Sequence, residues 1–253
     1  RQSDQEESLY LTYRQLAHHA LSQRLARRQH PDIAQNRLDV EARRLGAHFS
    51  AQQLAEQLLA QYDEARKDCE RLAPSGTALE AAACHAVIDS LTGKSRAAYA
   101  SLSAALTRHP AQSEAYRRWV LTRLGEMALR SGDKARAEMH FKQALATMAI
   151  GLTDGFVLAA YADLLLDENR PQEVMPLLRA YESSDILLLR LALAAQAAKS
   201  PEAPKYLRTL ADRFAASSLR GDRLHLQEQG RFELRLRDDA AAALKLARDN
   251  WTV

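Results

Sequence analysis

Residues that favour β-strands are scarce in this chain of 253 residues, and so are glycine and proline. Aromatic residues make up 6% of the chain, and only 9 glycines and 7 prolines occur. A sizeable sheet would need many β-branched and aromatic residues, so a sheet-based fold is excluded. No apolar run reaches the roughly 18 residues that a transmembrane helix requires, which argues against a membrane span.

Motifs for catalysis and for metal or cofactor binding are also missing. The chain has no GxSxG, GxGxxG, HExxH or CxxC pattern. Thr92-Gly93-Lys94-Ser95 ends like a phosphate-binding loop, but Ile88 occupies the position where that loop needs its first glycine. The favoured interpretation is a turn between two helices at Gly93. We therefore expect no enzymatic activity, no cofactor and no metal site.

Only two cysteines occur, Cys69 and Cys84, and the helix pattern places them on successive helices. The favoured interpretation is two small apolar residues of the core. A disulfide between them is the alternative, because residues on neighbouring helices can lie close together.

Alanine and leucine dominate the apolar residues, which make up 47% of the chain. Both are strong helix formers, so we predict an all-α protein. The net charge is +3, with 35 basic and 32 acidic residues alternating along the chain. The densest basic patch, Arg24, Arg27 and Arg28, is interpreted as a solvated helix face, and we expect no nucleic-acid partner.

The stretch from residue 121 to residue 145 has two apolar patterns of helical spacing, separated by a Ser-Gly-Asp turn at 131–133. The pattern before the turn consists of Leu121, Leu124, Gly125 and Ala128. The pattern after it consists of Ala137, Phe141, Ala144 and Leu145. Gly125 and Ala137 place a small residue on each helix, where we expect the two helices to come close.

This arrangement of Leu-Gly, a glycine turn and Ala-x3-Phe resembles one tetratricopeptide repeat. The resemblance implies an all-α protein: a right-handed α-solenoid of about seven stacked helical hairpins. It implies one domain over residues 1–253, with an opening hairpin at 1–48, the best-matching repeats at 49–182 and degenerate repeats at 183–253. More loosely, the whole chain resembles bacterial tetratricopeptide proteins without an assigned activity.

Members of this family usually bind other chains, and the first helices of their hairpins line a concave groove. Carried onto this chain, the resemblance implies the groove residues Trp119, Thr122, Glu126, Leu129, Arg130, Phe156, Asp163 and Asp167. We therefore expect a non-enzymatic scaffold that binds a protein or peptide, and a domain that senses a small molecule is the alternative. Packing is the favoured interpretation of Trp119 and Phe156, and a solvated face is the favoured interpretation of the acidic pair Asp163 and Asp167.

The sequence supports two interpretations of where the protein acts. No signal peptide is visible, and the chain begins at Arg1 rather than at methionine. A processed or trimmed chain would begin in this way. Export to the periplasm with removal of a signal peptide is slightly favoured over a cytoplasmic location.

Overall fold

The computed structural model describes residues 62–72, 78–111, 113–148, 153–223 and 225–251. This part of the chain is helical and contains no strand, which confirms the all-α prediction. The predicted opening hairpin at 1–48 and the first helix of the next hairpin lie outside the described residues. Arg24, Arg27 and Arg28 lie outside them as well.

Eleven α-helices follow one another in the described part of the chain. They are α1 (Tyr62–Leu72), α2 (Ala78–Leu91), α3 (Ser95–Arg108), α4 (Glu114–Arg130), α5 (Lys134–Ala146), α6 (Gly155–Asp167), α7 (Pro171–Leu178), α8 (Asp185–Ala197), α9 (Ala203–Leu219), α10 (Leu226–Leu236) and α11 (Ala240–Trp251). A short 3-10 helix, Arg179–Tyr181, follows α7. None of these helices is long and apolar enough to cross a membrane.

Glycines form the turns inside two of the helical hairpins. Gly93, between α2 and α3, has φ +92°, and Gly132, between α4 and α5, has φ +81°. Glycine adopts this left-handed conformation without steric cost, so it ends one helix and lets the next one turn back. The Asp133 side chain then accepts a hydrogen bond of 3.0 Å from the backbone N–H of Arg136 and caps α5. Both turns lie where the sequence predicted them.

The chain divides into two compact units, Arg1–Val157 and Leu158–Val253. The main core described in the first unit joins α2, α3 and α4 through Leu79, Ala83, Ala86, Ala98, Leu102, Ala105, Tyr116, Val120, Leu124 and Met127. Large buried side chains of the second unit include Leu164, Leu165, Leu178, Leu187, Tyr206, Leu210 and Phe232. That the whole chain forms one solenoid domain stays a prediction.

Gly125 on α4 lies directly against the ring of Phe141 on α5. A Cβ atom at Gly125 would lie 2.6 Å from Cε1 of Phe141, closer than real Cβ contacts. The Phe141 side chain and Ala137 are both 0% exposed, so both lie in the interior of the protein. The prediction that a small residue marks a close approach of these two helices is confirmed for Gly125, and Ala137 is buried.

A matched pair of substitutions measures this close approach. Gly125 and Gly230 both lie inside helices, so replacement by alanine gains about 1 kcal/mol of helix propensity at either position. A Cβ atom at Gly230 would meet its nearest atoms at an ordinary 3.6 Å. We expect Gly230→Ala to stabilise the protein. The free energy of unfolding of the Gly125→Ala variant should be about 1–3 kcal/mol lower than that of the Gly230→Ala variant, because the added methyl group overpacks the contact with Phe141. Guanidinium denaturation measures both values, and equal effects at the two positions would contradict the tight contact.

The structure corrects the favoured interpretation of the two cysteines. Cys69 on α1 and Cys84 on α2 form a disulfide, with their Cα atoms 5.7 Å apart. Both residues are 0% exposed, so the predicted burial is confirmed, whereas the prediction that they are not bonded is wrong. The sequence places each cysteine on a helix but does not fix the distance between the two helices, and that distance decides whether a disulfide forms.

Candidate functional site

Four side chains of α4 form a continuous row on one side of the helix. They are separated by three or four residues, which places them above one another on a helix. This row, called the α4 ridge below, consists of Trp119, Arg123, Glu126 and Arg130. Ser113 positions the start of the helix, because its hydroxyl accepts a hydrogen bond of 3.1 Å from the backbone N–H of Tyr116.

The guanidinium of Arg123 lies between two aromatic rings. Its Cζ atom is 4.1 Å from the ring centroid of Phe156 and 5.8 Å from that of Trp119. The Trp119 ring stacks in turn on Tyr116, with centroids 5.6 Å apart and planes inclined by 12°. Attraction between a cation and a ring face contributes about 0.5–2 kcal/mol, so these contacts hold the Arg123 side chain in one orientation.

Glu126 connects the two cations of the α4 ridge. One of its oxygens, Oε2, lies 3.0 Å from Nη1 of Arg123 and 3.6 Å from Nη2 of Arg130. Arg130 also donates a hydrogen bond of 2.8 Å to the hydroxyl of Ser90 on α2. The ridge therefore carries two positive charges and one negative charge in a connected arrangement.

Asp154 fixes the position of Phe156. Its Oδ1 accepts hydrogen bonds from the backbone N–H groups of Phe156 and Val157, at 3.1 and 3.3 Å, at the start of α6. Its Oδ2 accepts a hydrogen bond of 2.9 Å from Nε of Arg118 on α4. The side chain of Arg118 is only 4% exposed, so this ion pair holds the start of α6 against α4.

The residues that the family resemblance implied in α4 divide into two groups. Trp119, Glu126 and Arg130 lie together on the ridge. Thr122 is 1% exposed, and its hydroxyl donates a hydrogen bond of 2.8 Å to the carbonyl of Arg118, so it lies in the interior. Leu129 is half-buried. Arg123 was missed, although its position four residues after Trp119 places it on the same helix face.

In the second unit, Asp163 on α6 pairs with two arginines. Its Oδ2 lies 2.8 Å from Nη2 of Arg190 on α8, and its Oδ1 lies 2.7 Å from Nη2 of Arg231 on α10. Burial raises the pKa of the Asp163 carboxyl, but pairing with Arg231 and Arg190 outweighs burial, so the pKa lies below its usual value. The Asp163 charge is thus neutralised inside the second unit.

Asp167 lies one helical turn after Asp163 and is exposed. The sequence favoured a solvated helix face for both acidic residues. This interpretation holds for Asp167, which is exposed. It is wrong for Asp163, which pairs with Arg190 and Arg231. Arg190 and Arg231 were missed because they lie on later helices, and no spacing rule within one helix connects them to Asp163.

A cleft of about 1030 Å³ lies beside α3 and the turn between α4 and α5. Polar side chains and alanines line it, and the polar ones include Arg96, Tyr99, Ser103, Asp133 and Arg136. The Tyr99 hydroxyl and Nε2 of His140 are hydrogen-bonded at 2.8 Å, and burial lowers the pKa of His140. A deep enclosed cavity would favour the alternative function, a small-molecule sensor, and this cleft is open rather than enclosed.

Within the described ranges, no group of three or more His, Cys, Asp or Glu side chains is placed to hold a metal ion. No protein-family model matches the chain, and no curated protein matches it either.

Proposed function

We propose that the chain is a tetratricopeptide-like α-solenoid and that it binds an extended protein or peptide segment along the α4 ridge and Phe156. Successive antiparallel hairpins, the glycine turns and the close contact of Gly125 with Phe141 support this architecture. Each such hairpin leaves an apolar face uncovered, so that stacking on the next hairpin stabilises both.

The aromatic and charged side chains of the α4 ridge are the observation that carries the proposed binding function. Trp119, Phe156 and Arg123 are partly exposed, and tryptophan and arginine are among the residues that dominate binding energy in protein interfaces. Their rings offer apolar contact, while Glu126 and Arg130 offer both charges at the same place. A segment that alternates apolar and charged side chains is the partner that this surface fits.

The internal contacts of the ridge favour tight binding because they reduce the conformational entropy that is lost when a partner binds. Arg123 is held by two rings and by Glu126, and Asp154 holds the start of the helix that carries Phe156. Immobilising a flexible side chain in an interface costs about 0.5–1.5 kcal/mol. Side chains that are already ordered before binding avoid most of this cost.

The test compares two double variants of the whole chain. Trp119→Ala/Glu126→Arg removes a ring of the ridge and places three cations together, whereas Met139→Ala/Asp212→Arg makes the same kinds of change at exposed positions outside the ridge. Partners are captured from extracts with the unchanged protein, identified by mass spectrometry, and titrated against both variants.

We expect the affinity for the captured partner to fall at least about tenfold in the ridge variant, because losing one interface hot spot costs about 2 kcal/mol or more. The control variant should bind within about twofold of the unchanged protein. Circular dichroism establishes that both variants are folded. Equal recovery of every partner by the ridge variant would exclude the α4 ridge as the binding surface.

A further inference from the structure

One face of α3 forms a wall of the cleft beside the turn between α4 and α5. Side chains separated by three or four residues lie above one another on a helix. The lining residues of α3 follow this spacing, and they are Arg96, Tyr99, Ala100, Ser103, Ala104 and Thr107. The turn, the first residues of α5 and Ala128 of α4 complete the lining. No residue of the α4 ridge belongs to it, so a ligand in this cleft is independent of the function proposed for that ridge.

Basic side chains outnumber acidic ones in this cleft. Arg96, Lys134 and Arg136 are basic and exposed. Asp133 is the single acidic residue among the described residues that line the cleft. Its Oδ1 accepts the hydrogen bond from the backbone N–H of Arg136, and its Oδ2 lies 3.4 Å from Nη1 of the same residue. The Asp133 carboxylate thus already occupies the N-terminus of α5, and the excess of positive charge, which attracts an anionic ligand, comes from side chains.

The aromatic ring beside these cations is held in place by a buried partner. The Tyr99 hydroxyl and Nε2 of His140 are hydrogen-bonded at 2.8 Å, and His140 is only 6% exposed. Cζ of Arg136 lies 5.8 Å from the centroid of the Tyr99 ring, within the range of attraction between a cation and a ring face. The ring and Asp133 together restrict the Arg136 side chain, so less side-chain entropy is lost when Arg136 binds a ligand.

We propose that this cleft binds a phosphorylated side chain of a partner protein, with Arg96 and Arg136 contacting the phosphoryl group. A phosphoserine carries about 1.5–2 negative charges at pH 7 and three strong acceptor oxygens in a small volume. A carboxylate offers a single charge and one oxygen fewer. Guanidinium groups donate hydrogen bonds in a fixed fork that matches the geometry of phosphate oxygens, and bonds between charged groups are stronger than bonds between neutral ones.

The size and openness of the cleft favour a segment of a partner chain over a free small molecule. Its volume of about 1030 Å³ is far larger than a phosphoryl group fills. Ala100, Ala104 and Ala135 are exposed in its lining and offer apolar contact to the residues that flank the phosphorylated one. A site for a small molecule encloses most of its ligand, whereas an open cleft leaves room for the chain that carries the phosphoryl group. Recognition of phosphorylated segments by clustered arginines is a recurring mode of peptide binding.

Titration of the whole chain with labelled peptides tests the cleft. The probe is a fluorescein-labelled peptide of alanine and glycine with one phosphoserine at its centre, and fluorescence anisotropy near neutral pH measures its binding. Peptides with serine or glutamate at the same position are compared with it, and inorganic phosphate is added as a competitor. The cleft variant is Arg96→Gln/Arg136→Gln. The matched control, Arg117→Gln/Arg208→Gln, removes as many charges at exposed positions outside the cleft, and circular dichroism establishes that both variants are folded.

We expect the cleft variant to bind the phosphoserine peptide at least about tenfold more weakly than the unchanged protein, and the control variant to bind it within about twofold. The serine and glutamate peptides should bind the unchanged protein at least about tenfold more weakly than the phosphoserine peptide. No binding of the phosphoserine peptide, or equal affinity of the cleft and control variants, would overturn the proposal. A glutamate peptide that binds equally well would overturn the assignment to phosphate. Inorganic phosphate that binds as tightly as the peptide would overturn the assignment to a partner chain.

Discussion

Replacing Phe141 by alanine is expected to lower the free energy of unfolding by about 3–5 kcal/mol. The ring is 0% exposed and lies against the backbone of Gly125, so its removal leaves a cavity between α4 and α5 that rigid helices cannot close. Guanidinium denaturation, followed by circular dichroism, measures the loss.

Met139→Ala is the matched control for this substitution. Met139 lies on the same helix but is 44% exposed, so its truncation should change stability by less than about 0.5 kcal/mol. In the Phe141→Ala background, Gly125→Ala should no longer destabilise the protein, because the added methyl group occupies the space that the ring has left. A cost of Gly125→Ala that is the same in both backgrounds would contradict direct contact between the two residues.

Asp163→Asn is expected to lower the free energy of unfolding by about 2–3 kcal/mol, because two arginines lose the charge that compensates them. Arg190 is the more buried of the two, with a side chain that is 11% exposed. The expected loss of stability is smaller than for a fully buried ion pair, because the Asp163 side chain is 30% exposed and water screens part of its charge. Asp167→Asn makes the same change one turn away on an exposed side chain and should be nearly neutral.

The contribution of Asp163 to stability depends on pH in a direction that its lowered pKa fixes. A carboxyl whose pKa is lower in the folded than in the unfolded protein binds fewer protons when folded, so it stabilises the fold above the unfolded pKa of about 3.9. This contribution disappears as the pH falls through the lowered folded value. The difference in stability between the unchanged protein and Asp163→Asn should therefore be largest near neutral pH and shrink below about pH 4. A difference that stays constant down to about pH 2 would show that the charge of Asp163 is not responsible.

Local patterns predicted the helices of the described chain well, because a helix and its turn depend on neighbouring residues. Gly132 was predicted as a turn, and it has the positive φ that only glycine adopts easily. Gly125 marked the contact between α4 and α5, since only a residue without a Cβ atom leaves room for the Phe141 ring at this distance.

The candidate site was predicted less completely. Trp119, Glu126 and Arg130 share a helix face, and the family resemblance had implied all three of them as groove residues. Thr122 was placed on that face too, but it lies toward the interior and bonds the backbone of its own helix. A one-position difference rotates a side chain by about 100°, so a pattern with tolerance for one residue cannot distinguish a buried from an exposed position.

By itself, the sequence determined that this protein is built from helices, where two of its glycine turns lie, and that Gly125 marks a close contact between two of the helices. All of these depend on residues a few positions apart, whose geometry a helix fixes. Only the tertiary structure decided that Cys69 bonds Cys84, that Arg123 lies on the ring of Phe156, and that Asp163 joins Arg190 and Arg231. These pairings connect separate helices, and the distance and rotation between helices follow from how the whole core packs.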